Sequence, residues 1–131
     1  ALAAACDLAR AFALPLHLVH ACPHRPEHAE HAVHGQDRDF VRQSRREQRD
    51  LEALAVGLRA QGLTVQTHIA FGEPAATVVA KAAALQARYL VMGAREPSAL
   101  RHLVAGSVPA EILRQATMPV LLAGAWQRLP A

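Results

Sequence analysis

Apolar and polar positions alternate along this chain in a way that predicts helices and strands following one another in turn. Apolar residues recur at helical spacing in four stretches, which are 1–13, 37–61, 74–85 and 108–116. Runs rich in aliphatic and β-branched residues predict strands at 16–22, 63–71, 89–92 and 119–123. Such alternation is typical of an open, twisted parallel sheet covered by helices on both faces through right-handed crossovers. We therefore predict an α/β domain over residues 1–123, followed by a C-terminal tail at 124–131.

The longest predicted helix, at 37–61, separates an apolar side from a charged one. Its buried side is expected to consist of Phe40, Val41, Leu51, Leu54, Ala55 and Leu58. On the other side, arginines alternate with acidic residues, which favours a solvated face over a ridge that binds a partner.

Composition narrows the function classes. The chain has 131 residues, of which 52% are hydrophobic, enough for one domain with a buried core. The net charge is only +3 and the basic residues are dispersed among acids, so we expect no nucleic-acid partner. Cys6 and Cys22 form neither a disulfide framework nor a metal-type pair, which suits a reducing cytoplasm. We expect no membrane span, and no signal peptide because Asp7 and Arg10 interrupt the apolar opening.

One connection is longer than the two to six residues that usually join a strand to a helix. It leads from the strand that ends near Gly93 to Gly106 and Ser107, where the next helical pattern begins. Ser107 is a good N-cap, the helix behind it offers free N–H groups, and Arg95 adds a positive charge. The connection also follows the carboxyl end of a strand, where open α/β sheets bind ligands. These residues favour an anion site such as a phosphate site, with an ordinary capped turn as an equal alternative.

This stretch, together with the segment 118–122 after it, resembles the carboxyl half of a universal stress protein. The nucleotide-binding branch of that family carries Gly, two residues, Gly, nine residues, Gly, and then Ser or Thr. Here Gly93, Gly106 and Ser107 match three of the four places, and Glu96 stands where the second glycine would be. The resemblance implies a Rossmann-like three-layer sandwich, similar to the adenine nucleotide alpha hydrolases. It also implies a small cytoplasmic stress-response module that binds ATP or a related adenine nucleotide.

The resemblance also implies which residues meet the nucleotide. Gly106 and Ser107 would contact phosphate, Gly93 would permit its close approach, and Arg95 would be a charge partner. The implied binding set is Ala21, Met92, Gly93, Arg95, Gly106, Ser107 and Val108. Glu96 would bring a negative charge close to the anion, and Pro97 has no N–H to donate. We therefore expect weaker binding or a nucleotide with fewer phosphates, and outright loss is an open alternative.

Two further expectations about assembly rest on the resemblance. In the family, the last strand commonly pairs two chains, which implies a homodimer through Pro119–Ala123. The family also has a first strand at the centre of a five-stranded sheet, which bears an aspartate that meets the adenine and ribose. That strand is not in this sequence. We therefore expect roughly fifteen upstream residues in the parent protein, a length taken from the family's layout, or a strand swapped in from a partner chain.

Other chemistry is less specific. His24, His28, His31 and His34 could chelate Zn²⁺, Ni²⁺ or Cu²⁺ if their segment is helical, although a solvated histidine-rich loop is the favoured interpretation. We identify no catalytic constellation and expect at most slow, incidental ATP hydrolysis. The alternatives to nucleotide binding are an interaction module of the same fold with a degenerate pocket and, less favoured, a metal-binding protein that uses the His24–His34 loop.

Overall fold

Helices and strands alternate along the chain, as its sequence predicts. The computed structural model describes residues 1–22, 35–94 and 108–124, without the side chains of 35–41, 94 and 124. In chain order, the elements are α1 (Leu2–Phe12), β1 (Leu16–Cys22), α2 (Gly35–Ala60), β2 (Val65–Phe71), α3 (Pro74–Ala84), β3 (Leu90–Ala94), α4 (Val108–Gln115) and β4 (Val120–Gly124). None of the helices in these ranges is long and apolar enough to cross a membrane.

Local chemistry sets the ends of these elements. Ala13 adopts a left-handed conformation, φ 52°, and its N–H closes the last turn of α1. Gly62, with φ 90°, follows the end of α2 and turns the chain toward β2. Pro74 occupies the first turn of α3, and the carboxylate of Glu73 accepts hydrogen bonds from the N–H groups of Ala75 and Ala76.

The strands pair in parallel, but they form two separate two-stranded ladders. In the first ladder β1 pairs with β2, from Leu16 opposite Val65 to Cys22 opposite Phe71. In the second, β3 pairs with β4 over five positions, which extends β3 two residues past the predicted end at Met92. No ladder joins β1 to β3 within the described ranges.

A cleft of about 490 Å³ separates the two ladders. Residues 16–19 of β1 and residues 90–93 of β3 line it, together with residues of α1 and α3. Among the residues that the structure describes, both inner strands therefore leave an edge without a strand partner, at the position where a central strand would pair with each of them. This small strand count agrees with the predicted absence of the first strand.

The core between the first ladder and its helices is built from small and medium side chains. The cluster consists of Cys6, Ala9, Leu16, Ala55, Leu58 and Val65. Ala55 is fully buried, whereas Leu54 is 41% exposed. The prediction that Leu54 is buried is therefore wrong: it lies at the border of the apolar stripe on α2, whose buried residues include Ala55 and Leu58. The side chains of Phe40 and Val41 are outside the described set.

Candidate functional site

The carboxyl ends of the parallel strands form the rim where the sequence places the ligand. Met92 and Gly93 lie near the end of β3 and line the cleft between the ladders. Ala21 lies near the end of β1 and is half-buried, but it is beyond residues 16–19, the part of that strand that lines the cleft. Two inner strands thus carry three of the predicted binding residues toward the same rim, two of them in the cleft.

A side chain would fit at Gly93 without a clash. A Cβ atom built there would lie 3.6 Å from the Ala1 Cβ atom and 3.8 Å from the Ala123 carbonyl oxygen, which are ordinary van der Waals distances. The residue is exposed, and its φ angle is not in the left-handed region. Neither packing nor backbone conformation requires glycine at this position.

The helix behind the predicted phosphate loop is present. Val108 is the first residue of α4 and is exposed. Arg95, Gly106 and Ser107 lie outside the described residues, as does Glu96 in place of the second glycine. Their contacts with phosphate remain predictions from the sequence.

The histidine-rich segment His24–His34 also lies outside the described residues, so its predicted metal chemistry stays a prediction. Within the described ranges, no group of three or more His, Cys, Asp or Glu side chains is placed to hold a metal ion.

Polar contacts that the sequence analysis did not find attach α2 to the carboxyl half of β1. His20 Nε2 lies 2.7 Å from Glu47 Oε2, and Gln43 donates a 2.9 Å hydrogen bond to the other oxygen of the same carboxylate. The bond from Gln43, opposed by partial desolvation and assisted by His20, lowers the pKa of Glu47. On the same face of β1, Cys22 Sγ lies 3.7 Å from Ser44 Oγ. Alternation along β1 places His20 and Cys22 on one face, but only the position of α2 identifies their partners.

These contacts pair the side chains separately, and no hydrogen bond joins the histidine to the serine or the cysteine among the described residues. The arrangement can hold β1 against α2, but it does not assemble a nucleophile with a base. Both Cys6 and Cys22 are buried free thiols.

Comparison with known proteins identifies the fold. The model of the universal stress protein family matches residues 1–124. The chain belongs to the universal stress protein family. This confirms the resemblance, which rested on the glycines and the serine between residues 93 and 107. No curated protein matches this sequence closely enough to count as a relative.

Solved structures of universal stress proteins share the α/β architecture. One from Archaeoglobus fulgidus has a TM-score of 0.68 and 22% identity, and the match covers 94% of this chain and 38% of that one. Another from Archaeoglobus fulgidus, in complex with dAMP, has a TM-score of 0.59 and 21% identity, with coverages of 89% and 79%. A universal stress protein in complex with cAMP has a TM-score of 0.56 and 22% identity, with coverages of 92% and 85%. At this level of identity, the likeness supports the parallel α/β fold of this universal stress protein.

Proposed function

We propose that this universal stress protein binds an adenine nucleotide at the carboxyl rim of its sheet. The observation that carries the proposal is Gly93, an exposed glycine at the end of an inner strand that neither packing nor φ requires. A residue without a Cβ atom allows a ligand to approach the backbone closely. The fold does not require a glycine here, so we attribute this glycine to the close approach of a ligand.

The base and the phosphates would contact different residues at the rim. Ala21 and Met92 lie near the ends of β1 and β3, which suits contact with an apolar base. Gly106, Ser107 and the start of α4 at Val108 would receive the phosphates through backbone N–H groups and the helix dipole. Arg95 would balance part of the phosphate charge.

ATP is the nucleotide that the family motif implies, while two features favour fewer phosphates. Glu96 places a carboxylate in the loop, which would repel a triphosphate more strongly than a monophosphate. The ligands in the two similar complexes, dAMP and cAMP, each carry a single phosphate. We therefore propose a site for adenine nucleotides that does not prefer ATP over nucleotides with fewer phosphates.

Calorimetric titration with AMP, ADP, ATP and GMP tests this proposal. Ser107→Ala is expected to lower the affinity for every adenine nucleotide, because it removes the hydroxyl and the cap at the phosphate-facing helix. Glu96→Gly is expected to raise the affinity, most for ATP. If both variants bind like the parent chain, or if GMP binds as tightly as AMP, the assigned pocket is wrong.

We also propose that two chains associate through the outer edge of β4, in the segment predicted as Pro119–Ala123, and that the dimer acts in the cytoplasm. Leu121 on β4 is 39% exposed, and Leu113 on the adjoining α4 is 42% exposed. Light scattering of Leu121→Asp should show a monomer, because a charge would be buried in the interface. Leu54→Asp, at a similarly exposed leucine on α2, is the matched control and should stay dimeric. A parent chain that is monomeric at working concentration would contradict the dimer.

The second candidate is an interaction module with the same fold and no functional pocket. The departure from the glycine motif at Glu96 and Pro97 favours it. It predicts a dimer whose melting temperature does not change with adenine nucleotides, whereas binding at a hundred times Kd would add about 2.7 kcal/mol of stability.

A further inference from the structure

Exposed arginines form a row along the outer face of α2. They follow one another at intervals of three and four residues, which places their side chains on one side of the helix. The members of this arginine row are Arg42, Arg45, Arg46 and Arg49, all exposed. The same spacing places Ala55 and Leu58, which pack in the core, on the opposite side of α2. The row therefore faces away from the first ladder.

The acidic side chains of α2 do not neutralise this row. Glu47 is bound to His20 of β1, and Glu52 is bound to Arg59 at the end of the helix. Asp50 follows Arg46 by four residues, but no ion pair joins their side chains. Among the side chains that the structure describes, none of the four arginines has a hydrogen bond or an ion pair. Charges that alternate along the sequence are thus separated in the folded chain.

The arginine row does not stabilise the fold. Each of its members has a like charge three or four residues away, and such pairs destabilise a helix. The row contributes nothing to the core cluster, and none of its residues lines the cleft between the ladders. Negative charge from another molecule would relieve this repulsion.

The rest of the same helix face is apolar, which narrows the class of partner. Ala53, Val56 and Ala60 follow Arg49 by four, seven and eleven residues, so they continue the face. Val56 is 57% exposed. A nucleic-acid backbone offers phosphates but no apolar surface for Val56, whereas protein interfaces combine arginine with apolar contacts. We propose that the arginine row and Val56 form a docking surface for an acidic, amphipathic helix of a partner protein.

The dimensions of the row favour a helix over an extended segment. From Arg42 to Arg49 the helix axis rises about 10.5 Å, and an acidic helix with carboxylates at the same spacing rises equally. An extended segment places residues of one face about 6.6 Å apart, so only two carboxylates fit beside four arginines. Each guanidinium group can donate two parallel hydrogen bonds to one carboxylate, which makes the pairing directional as well as electrostatic.

The test uses the full chain and a fluorescein-labelled synthetic helical peptide. Its glutamates have the spacing of the arginine row, and one leucine on the same face is placed to meet Val56. A second peptide has the same composition, with its glutamates distributed around the helix. Fluorescence anisotropy in about 0.1 M salt should show that the first peptide binds about tenfold more tightly or better, and that binding weakens in about 1 M salt.

Substitutions locate the binding surface. Arg45→Gln with Arg49→Gln should weaken binding of the first peptide about tenfold or more. Arg10→Gln with Arg88→Gln is the matched control, because it removes the same charge from two exposed arginines outside the row, and it should leave binding unchanged. Val56→Ser should also weaken binding. Circular dichroism confirms that each variant is folded.

A charge reversal supplies a gain that damage to the fold cannot produce. With all four arginines of the row changed to glutamate, the chain should bind a peptide whose glutamates are replaced by lysines, and should no longer bind the first peptide. The proposal is overturned if the two glutamate peptides bind alike, if the row variant and its control bind alike, or if the reversed chain does not gain the lysine peptide. Binding that Val56→Ser leaves unchanged would overturn the amphipathic partner. Tighter binding of polyuridylic acid or of phosphatidylserine vesicles than of the first peptide would overturn the protein partner.

Discussion

Replacement of Gly93 by alanine separates the demands of the fold from those of a ligand. In the folded chain the added methyl would lie 3.6 Å from Ala1 Cβ and 3.8 Å from the Ala123 oxygen, so it meets no clash. Its φ angle is outside the left-handed region, so alanine adopts it without strain. A compatible Gly→Ala change stabilises a protein by about 0.4–1 kcal/mol, chiefly by restricting the unfolded chain. Gly93→Ala should therefore melt at the parent's temperature or slightly above it.

Nucleotide binding, in contrast to folding, should be weakened by the added methyl group. If a nucleotide approaches the backbone of Gly93 as we propose, the methyl takes up the space that the ligand needs. We expect at least a tenfold loss of affinity for AMP and ATP, which corresponds to about 1.4 kcal/mol. Differential scanning calorimetry measures the stability, and isothermal titration of the same sample measures the affinity.

Gly72→Ala is the matched comparison, because Gly72 is a glycine that the fold does require. Its φ angle is 129°, and a Cβ there would lie 2.9 Å from Thr77 Cγ2. Backbone strain of this kind costs on the order of 1–3 kcal/mol, so this variant should melt below the parent. If Gly93→Ala loses as much stability as Gly72→Ala, the geometry at the end of β3 is wrong. If it binds nucleotide like the parent, the close approach is wrong.

Three further predictions concern stability. Glu73→Ala removes the acceptor for two N–H groups at the start of α3 and should lower the free energy of unfolding by about 1 kcal/mol in urea titrations, with Glu73→Asp retaining part of it. Burial, the ammonium of Lys81 and the neighbouring His17 make the pKa of His68 lower in the folded chain than in the unfolded one, so the unfolded chain binds more protons below about pH 6.5. The free energy of unfolding should therefore decrease as the pH is lowered through that range. His68→Gln should reduce that slope, and an unchanged slope would contradict the burial of this ring. Ala55→Leu should overpack the core and cost about 1–3 kcal/mol, whereas Leu54→Ala on the exposed flank should cost less than about 0.5 kcal/mol.

Periodicity predicted the elements well where one face is clearly apolar. The strand at 16–22 has the predicted bounds, and α2 begins and ends within two residues of the prediction. The strand predicted at 63–71 begins at Val65, because the Leu63 N–H bonds back to Leu58 and closes the end of α2. Bounds shift where capping contacts compete with the strand ladder, and composition does not encode that competition.

Within the candidate site, too, some residues could be identified from the sequence and others could not. The binding role of Gly93 was implied by the family resemblance and stays a prediction, although the structure gives the residue an exposed place near the end of β3. The pairing of His17 with His68, and of His20 with Glu47, depends on strand register and on the docking of α2. These residues are 51 and 27 positions apart. No local pattern predicts contacts at such separations, because tertiary packing determines them.

Among the described residues the strands form two ladders, and helices contact both of them. Helix α1 contacts both β1 and β3, and α3 contacts the first ladder together with α4. Within this part of the chain we expect cooperative unfolding to depend on these helix contacts, because no backbone ladder joins β1 to β3. In native-state hydrogen exchange, the amides of β1 and β2 should open as one unit and those of β3 and β4 as another. Substitutions at the bridging faces of α1 and α3 would uncouple the two units before either one melts.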